Sequence, residues 1–353
     1  MKILMLPGDG IGPEIMEATA TALDKLNKFH DLKLDFEQLS IGMAALETKG
    51  STLPGEIMEK IKSADGVILG PCDTYAYPSK EEGGINPSAA IRLQLDLFAN
   101  IRPSRARVGV AAMTPDMDLV IVRENTEGFY ADRNMYSGSG EFMPTQDVAL
   151  SMRKVTRQGS RRIAQEAFKL AAQRQKKVTV VTKANVLKLT EGLFLEEVCD
   201  VAKSFPDVEL REVLIDAMAA LLVRTPSEFD VIVTTNMYGD ILSDEAAELS
   251  GGLGLGGSVN AGDKHGIAQA AHGSAPDIAG LGIGNPVALM NSVTMLLEWL
   301  GGRKGRSDLI KAGKYFSDAI DKALQDPVNH TPDLGGKAKT QEVGIAVASQ
   351  IRS

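Results

Sequence analysis

Short apolar runs alternate along the chain with longer amphipathic stretches. Ile3-Leu-Met-Leu6, Lys33–Leu39, Gly66–Gly70, Leu119–Val122, Lys177–Thr182, Glu209–Ile215 and Val231-Ile-Val-Thr-Thr235 read as strands, being short and rich in aliphatic or β-branched residues. Between them, helical spacing predicts helices over Ile15–Phe29, Pro54–Ile61, Ser88–Ala99, Val148–Gln173, Phe194–Phe205 and Pro286–Leu300. One more helix is expected to begin near Gly239-Asp240, after a turn over Asn236–Gly239. Alternation of this kind predicts an α/β protein with parallel strand pairs. Pro71 to Pro87 is a long irregular loop, a candidate pocket wall or lid. Ala131 to Thr145 is polar and reads as an extended arm or hairpin. Gly251-Gly-Leu-Gly-Leu-Gly-Gly257 is dense enough in glycine to mark a return across a domain boundary.

Composition narrows the class. With 353 residues, 44% of them hydrophobic, two domains are the natural expectation. The net charge of -8 disfavours nucleic acid and anionic membrane as partners. Cys72 and Cys199 lie far apart with no metal spacing, which fits free thiols in a reducing compartment. No apolar run approaches a membrane span, and Met1-Lys2 leads directly into a strand, so a cytoplasmic protein is expected.

The candidate chemistry gathers at strand ends, where α/β sheets bind ligands. Asp240 and Asp244 are four residues apart and share a helix face. Such a pair either holds a hard cation through oxygen or complements the helix dipole. Arg92, Arg102 and Arg123 can clamp carboxylates, or serve as surface ion-pair residues. Lys183 follows one strand and Asp216 another. Gly8-x-Gly10-x-Gly12 opens a helix but lacks the spacing of a dinucleotide fingerprint. The loop His272-Gly-Ser-Ala-Pro-Asp277 offers a histidine, backbone groups and an acid able to accept ribose hydroxyls.

Read together, these segments resemble the β-decarboxylating dehydrogenases, the isocitrate/isopropylmalate dehydrogenase family with its homoisocitrate, tartrate and D-malate members. The resemblance rests on Gly8-Asp-Gly-Ile-Gly-Pro-Glu14, Arg92 with Asn100-Ile-Arg-Pro103, Arg123-Glu-Asn-Thr-Glu-Gly-Phe-Tyr130, Lys183-Ala-Asn185, Gly239-Asp-Ile-Leu-Ser-Asp244 and His272–Asp277, in order and nearly end to end. It implies that family's two-domain α/β fold, which is not the Rossmann fold. One domain would comprise residues 1–98 and 251–353 and bind the cofactor; a smaller central domain, 99–250, would carry the dimer contact and arm.

The resemblance also implies a site. Tyr130 would be the general acid and Lys183 a catalytic base. Arg92, Arg102 and Arg123 would hold substrate carboxylates, with Ser88 beside the variable group. Asp240 and Asp244 would bind Mg²⁺ or Mn²⁺ with Asp216. Asp216 and Lys183 would cross from the partner subunit of a homodimer. NAD would contact Ile11, Thr74, His272, Gly273, Ser274, Ala275, Asp277, Ile278 and Asn285. The expected reaction is oxidation of a 2-hydroxy acid bearing a β-carboxylate, followed by loss of carbon dioxide. The alternative is a non-catalytic regulatory subunit on the same fold. Two stretches depart from the pattern. Ala268-Gln-Ala-Ala-His272 lacks the family's acid and proline, and Asn86-Pro-Ser-Ala-Ala-Ile-Arg92 matches neither the isopropylmalate nor the isocitrate signature, leaving the substrate open.

Overall fold

The computed structural model describes residues 1–130, 135 and 137–351. In chain order the first elements are β1 (Lys2–Leu6), α1 (Gly12–Phe29), β2 (Asp35–Gln38), α2 (Met43–Lys49), α3 (Gly55–Ser63), β3 (Gly66–Leu69) and α4 (Pro87–Gln94). There follow β4 (Ala99–Arg105), β5 (Asp118–Glu124), β6 (Glu141–Thr145), β7 (Val148–Ser151), α5 (Arg157–Ala172), β8 (Lys177–Thr182), α6 (Thr190–Ala202), β9 (Glu209–Leu214) and α7 (Ile215–Arg224). The last are β10 (Val231–Thr234), α8 (Asn236–Leu249), β11 (Val259–Ala261), β12 (Gly266–Gln269), α9 (Val287–Lys304), α10 (Ser307–Leu324) and α11 (Thr340–Gln350). The chain divides into two compact units. Unit 1 is Met1–Leu95, Ala106–Pro115 and Gly251–Ser353; unit 2 is Asp96–Arg105 and Asp116–Ser250.

In unit 1 the strands run in the order β2-β1-β3-β12-β11. All neighbours are parallel except β11 and β12, which are antiparallel. Strand β3, Gly-Val-Ile-Leu, is buried along its whole length, as expected of a strand covered on both faces. Helix α1 buries Ile15, Ala18, Thr19, Ala22, Leu23 and Leu26, a stripe at three- and four-residue spacing. Helix α9 is buried almost all round through its first two turns, so it lies at the centre of the core that α1, α10 and α11 share. The loop between β1 and α1 packs on the segment around Ser274. The Ile11 N–H donates to the Ser274 carbonyl at 2.8 Å. A Cβ on Gly10 would stand 1.9 Å from that oxygen, and Gly10 has φ +59°, so only glycine fits.

In unit 2 the order is β4-β5-β10-β8-β9, with β4 antiparallel and the rest parallel. Alternate residues of the central strands face opposite layers. Val120, Val122, Val178, Val180, Val231 and Val233 join α5 and α6 in one core, around the fully buried Phe168. Leu119, Ile121, Val181 and Ile232 join α7 and α8 in another. The parallel strands β5, β8 and β10 therefore end together, and Arg123, Lys183 and the start of α8 sit at or just beyond those ends.

Several expected boundaries shift. Asn86 caps α4 by accepting from the Ala89 N–H at 3.0 Å, and Pro87 occupies the first helical position. The helix ends at Gln94, short of Ala99, because Asp96 takes φ +49° and Ala99–Arg105 pairs with β5. The helix expected over Val148–Gln173 is two elements. Val148–Ser151 pairs antiparallel with β6, and α5 begins only after Thr156, whose hydroxyl caps the Gly159 N–H at 3.0 Å. The hairpin thus covers Glu141–Ser151, with both strands exposed throughout. Of the expected arm, residues 131–134 and 136 lie outside the described residues. Helix α8 begins at Asn236, not near Gly239, so its first turn holds no acid. Asp240 and Asp244 therefore lie inside the helix, and the dipole reading of this pair does not hold. Among the described residues no helix is long and apolar enough to cross a membrane.

Candidate active site

The centre of unit 2 is a buried guanidinium. Arg123, 2% exposed, is the penultimate residue of β5 and reaches across the N-terminal turns of α8. Its Nε donates to Asn236 Oδ1 at 2.8 Å, its Nη1 pairs with Asp240, and its Nη2 donates to the Tyr130 hydroxyl at 3.2 Å. The Tyr130 hydroxyl in turn donates to Asp240 Oδ2 at 2.6 Å. Gly239 stands inside the helix because a Cβ there would lie 2.6 Å from the Arg123 side chain.

Arg102, from β4, completes the cluster. Its Nε donates to Asn100 Oδ1 at 2.6 Å, and its Nη1 to Ser243 Oγ at 2.8 Å and Asp244 Oδ1 at 3.0 Å. Burial, together with Arg123 alongside, pulls the Arg102 guanidinium down to about 10, against the opposing pull of Asp240 and Asp244. Burial pushes the Asp244 carboxyl above its usual range; Arg102 opposes this, while Asp240 adds to it. Asn236, Asp240, Ser243 and Asp244 fall at offsets of four, seven and eight residues, on one face of α8.

Lys183 and Asp216 form a second group. Lys183 Nζ donates to Asp216 Oδ1 at 2.5 Å, and this bond lowers the Asp216 carboxyl. Glu191, fully buried, accepts the Lys183 N–H at 2.8 Å and pairs with Arg153. Burial raises the Glu191 carboxyl, and Arg153 opposes that. Arg153 also donates to Thr235 Oγ1 at 2.7 Å and lies over the rings of Phe129 and Tyr238. It therefore ties the Lys183 loop to the segments beside Tyr130 and before Asn236. Among the described residues, no three His, Cys, Asp or Glu side chains converge as a metal-holding group.

Unit 1 holds two further groups. In the first, Ser88 Oγ and Arg92 Nη2 each donate to Gln269 Oε1 at 3.0 Å. Burial pushes the nearby Cys72 thiol up to about 12, so it is inert as a nucleophile. Both cysteines are free. The second group is a cavity of about 640 Å³ whose walls include Ile11, His272, Gly273, Ala275, Ile278 and Asn285. Gly254, Ile283, Pro332 and Asp333 add to it. Burial lowers the His272 imidazole, which is neutral at pH 7, and its Nε2 is shut off from solvent without a protein partner. Ser274 is buried and contributes its carbonyl to Ile11 instead. Thr74 and Asp277 are exposed and do not line the cavity. Asp277 makes no hydrogen bond among the described residues, so it caps nothing.

Asn100, Asn236, Ser243 and Arg153 are site residues beyond those expected from the sequence. The first three were within reach of it, since Asn236 and Ser243 share the helix face of Asp240, and Asn100 sits two residues before Arg102 on one strand face.

Comparison with known proteins gives this arrangement a class. A sequence model described as isocitrate/isopropylmalate dehydrogenase matches residues 2–347. The 3-isopropylmalate dehydrogenase of Methanothermobacter thermautotrophicus is 41% identical over 355 residues, covering 99% of this chain and 98% of its own. The isocitrate/homoisocitrate dehydrogenase of Thermus thermophilus is 40% identical over 353 residues, covering 100% and 99%. The crystal structure of isocitrate dehydrogenase from Methylococcus capsulatus superposes with a TM-score of 0.87 at 38% identity, covering 100% of this chain and 99% of that one. Fold and relatives together make the protein a β-decarboxylating hydroxy-acid dehydrogenase. The chain belongs to the isocitrate/isopropylmalate dehydrogenase family and has its α/β fold, distinct from the Rossmann fold.

The Arg153–Glu191 pair makes a stability test. Arg153→Met leaves a fully buried carboxylate without its cation and should cost about 3–5 kcal/mol in urea unfolding. Adding Glu191→Leu should recover most of that loss. A single-variant cost below about 1 kcal/mol would show that the pair does not organise the Lys183 loop.

Proposed function

We propose that the protein is an NAD-dependent dehydrogenase that oxidises and decarboxylates a 2-hydroxy acid bearing a β-carboxylate, assisted by Mg²⁺ or Mn²⁺, as a homodimer with shared active sites. The convergence of Arg102, Arg123 and Tyr130 on the carboxylates of Asp240 and Asp244 carries this reading. A regulatory subunit would have no use for the complete set of Tyr130, Lys183, Asp216, Asp240 and Asp244.

The donor set fits a hard divalent ion. Asp240 and Asp244 offer carboxylate oxygens from one helix face, and two guanidiniums now satisfy them. When bound, such an ion stabilises negative charge developing on a substrate oxygen. The unit 1 cavity fits a nucleotide. Its walls are largely apolar, and the orphaned, neutral His272 Nε2 offers a polar contact within them. NAD, when bound, accepts the hydride.

The protein's own groups supply the rest. Arg92, Arg102 and Arg123 are each suited to hold a substrate carboxylate by charge-assisted hydrogen bonds. Lys183 takes the hydroxyl proton. Tyr130 returns a proton to carbon after carbon dioxide leaves. Its phenolic oxygen accepts from Arg123 Nη2, so the guanidinium stabilises the phenolate that remains. Sharing between subunits is supported by two observations. Asp216 pairs with Lys183 in place of joining Asp240 and Asp244. Every residue of the β6–β7 hairpin is exposed, Phe142, Met143 and Leu150 included, which suits a surface that a second copy covers.

The deciding experiment is turnover of (2R)-malate, tartrate, isocitrate, homoisocitrate and 3-isopropylmalate with NAD and Mn²⁺. At least one should react, and EDTA treatment should abolish that activity until Mg²⁺ or Mn²⁺ is restored. Full activity in metal-free protein would remove the metal from the mechanism.

Shared sites predict complementation. A Lys183→Ala subunit mixed with a Tyr130→Phe subunit should regain activity, because one hybrid site then holds both residues. A verified heterodimer with no recovery would contradict sharing.

Asp277 is exposed and unengaged beside the cavity-lining Ala275 and Ile278, where it can accept both hydroxyls of an adenosine ribose. The 2′-phosphate of NADP would meet that carboxylate with like charge, and the 2′-hydroxyl hydrogen bond would be lost as well. Each of the two effects is worth on the order of 1–3 kcal/mol, so NAD should be preferred at least about thirtyfold in kcat/KM. Asp277→Ala should erode the preference. Equal efficiency with NADP, or a preference that the substitution leaves unchanged, would sink the assignment.

A further inference from the structure

We infer that Gln269 is a substrate-specificity residue whose side-chain N–H₂ donates to an oxygen on the substrate's C3 substituent, so that the substrate is a 2-hydroxy acid whose C3 group carries a carboxylate or hydroxyl in place of a branched alkyl chain. The inference rests on the dehydrogenase reading above and deepens it. Gln269 closes β12 and is 8% exposed. Its backbone is pinned to Ser258 on both sides. The Gln269 N–H donates to the Ser258 carbonyl at 3.1 Å, and the Ser258 hydroxyl donates to the Gln269 carbonyl at 2.6 Å. Its side-chain oxygen accepts from Ser88 Oγ at 3.0 Å, Arg92 Nη2 at 3.0 Å and Asn260 Nδ2 at 3.3 Å.

Arginine can only donate, so Oε1 must face Arg92 and the amide cannot be turned over. That orientation leaves the N–H₂ as the open end of the group, and it has no partner among the described residues. The N–H₂ is the end of the amide that water reaches, and a ligand that covers it must bring an acceptor or leave a buried donor unsatisfied. Ser88 and Arg92 stand on the same oxygen, so the donor lies beside the residues proposed to receive the substrate. A branched alkyl group there would leave the N–H₂ unsatisfied. A carboxylate or hydroxyl satisfies it.

The test is the efficiency of wild type, Gln269→Glu and Gln269→Met with isocitrate, homoisocitrate and 3-isopropylmalate, using Mn²⁺ and NAD, with Tm as the folding control. Gln269→Glu keeps the acceptor for Ser88 and Arg92 and replaces the donor with an anionic oxygen. Wild type should favour isocitrate or homoisocitrate. Gln269→Glu should lower kcat/KM for them roughly 10–100-fold and for 3-isopropylmalate less than about threefold, with little change in Tm. Gln269→Met carries no charge, and it should cut the ratio of isocitrate or homoisocitrate efficiency to that of 3-isopropylmalate by at least about tenfold. Three results would overturn the inference: a wild-type preference for 3-isopropylmalate, equal losses on every substrate, or a change confined to the KM of NAD. A wild type inactive on all three acids and on the wider panel would overturn the functional reading, and this inference with it.

Discussion

A positive charge held inside unit 2 governs the arrangement of everything near it. Taking a guanidinium out of water is costly unless its fork is met by acceptors in the right directions. Arg123 meets that demand with Asn236, Asp240 and the Tyr130 hydroxyl. These partners in turn fix the chain. Helix α8 must begin early enough to present Asn236 as well as Asp240, residue 239 must be glycine, and the segment ending at Tyr130 must return to β5. Arg102 repeats the arrangement one strand away through Asn100, Ser243 and Asp244. The cluster is pre-organised by the same bonds that make its burial tolerable.

Unit 1 is built around neutral or fully engaged groups instead. Asp9, in the loop after β1, accepts from the Met43 N–H at 2.8 Å, the Asp73 N–H at 3.0 Å and the Tyr77 hydroxyl. One carboxylate thereby anchors the irregular loop after β3 to the start of α2 and to the loop that faces Ser274. The cavity around His272 is mostly apolar, and the Ser88–Arg92–Gln269 junction is organised by an amide.

The α/β character was legible because β1, β3, β5, β8 and β10 are short aliphatic runs that end in turn signals. The position of the site was legible for the same reason, since Arg123, Lys183 and Asp240 all follow such runs. The bounds of α8 were not. Gly239-Asp240 looks like a helix start, and only the contact with Arg123 explains a glycine inside a helix. Val148–Leu150 continued smoothly into the helical pattern of α5, and the pairing that makes it a strand comes from Glu141–Thr145, across a turn with no marked signal. Gln269 was visible as a departure from the family's pattern. Its meaning needed the three donors on its oxygen, two of them about 180 residues away in sequence.

The discontinuity of unit 1 bears on how the chain acquires its structure. Strand β12 pairs with β3, and α11 packs on α1, so pieces from opposite parts of the sequence complete one core. Unit 2 lies mostly within one continuous stretch, Asp116–Ser250. During synthesis that stretch has emerged before the third segment of unit 1 exists. Contacts of long sequence separation also carry the larger loop-closure cost. Unit 2 is therefore the part able to fold while the chain is still being made. The glycine loop of the first turn waits for the Ser274 segment, its partner from more than 260 residues later, before the cavity wall between them can form.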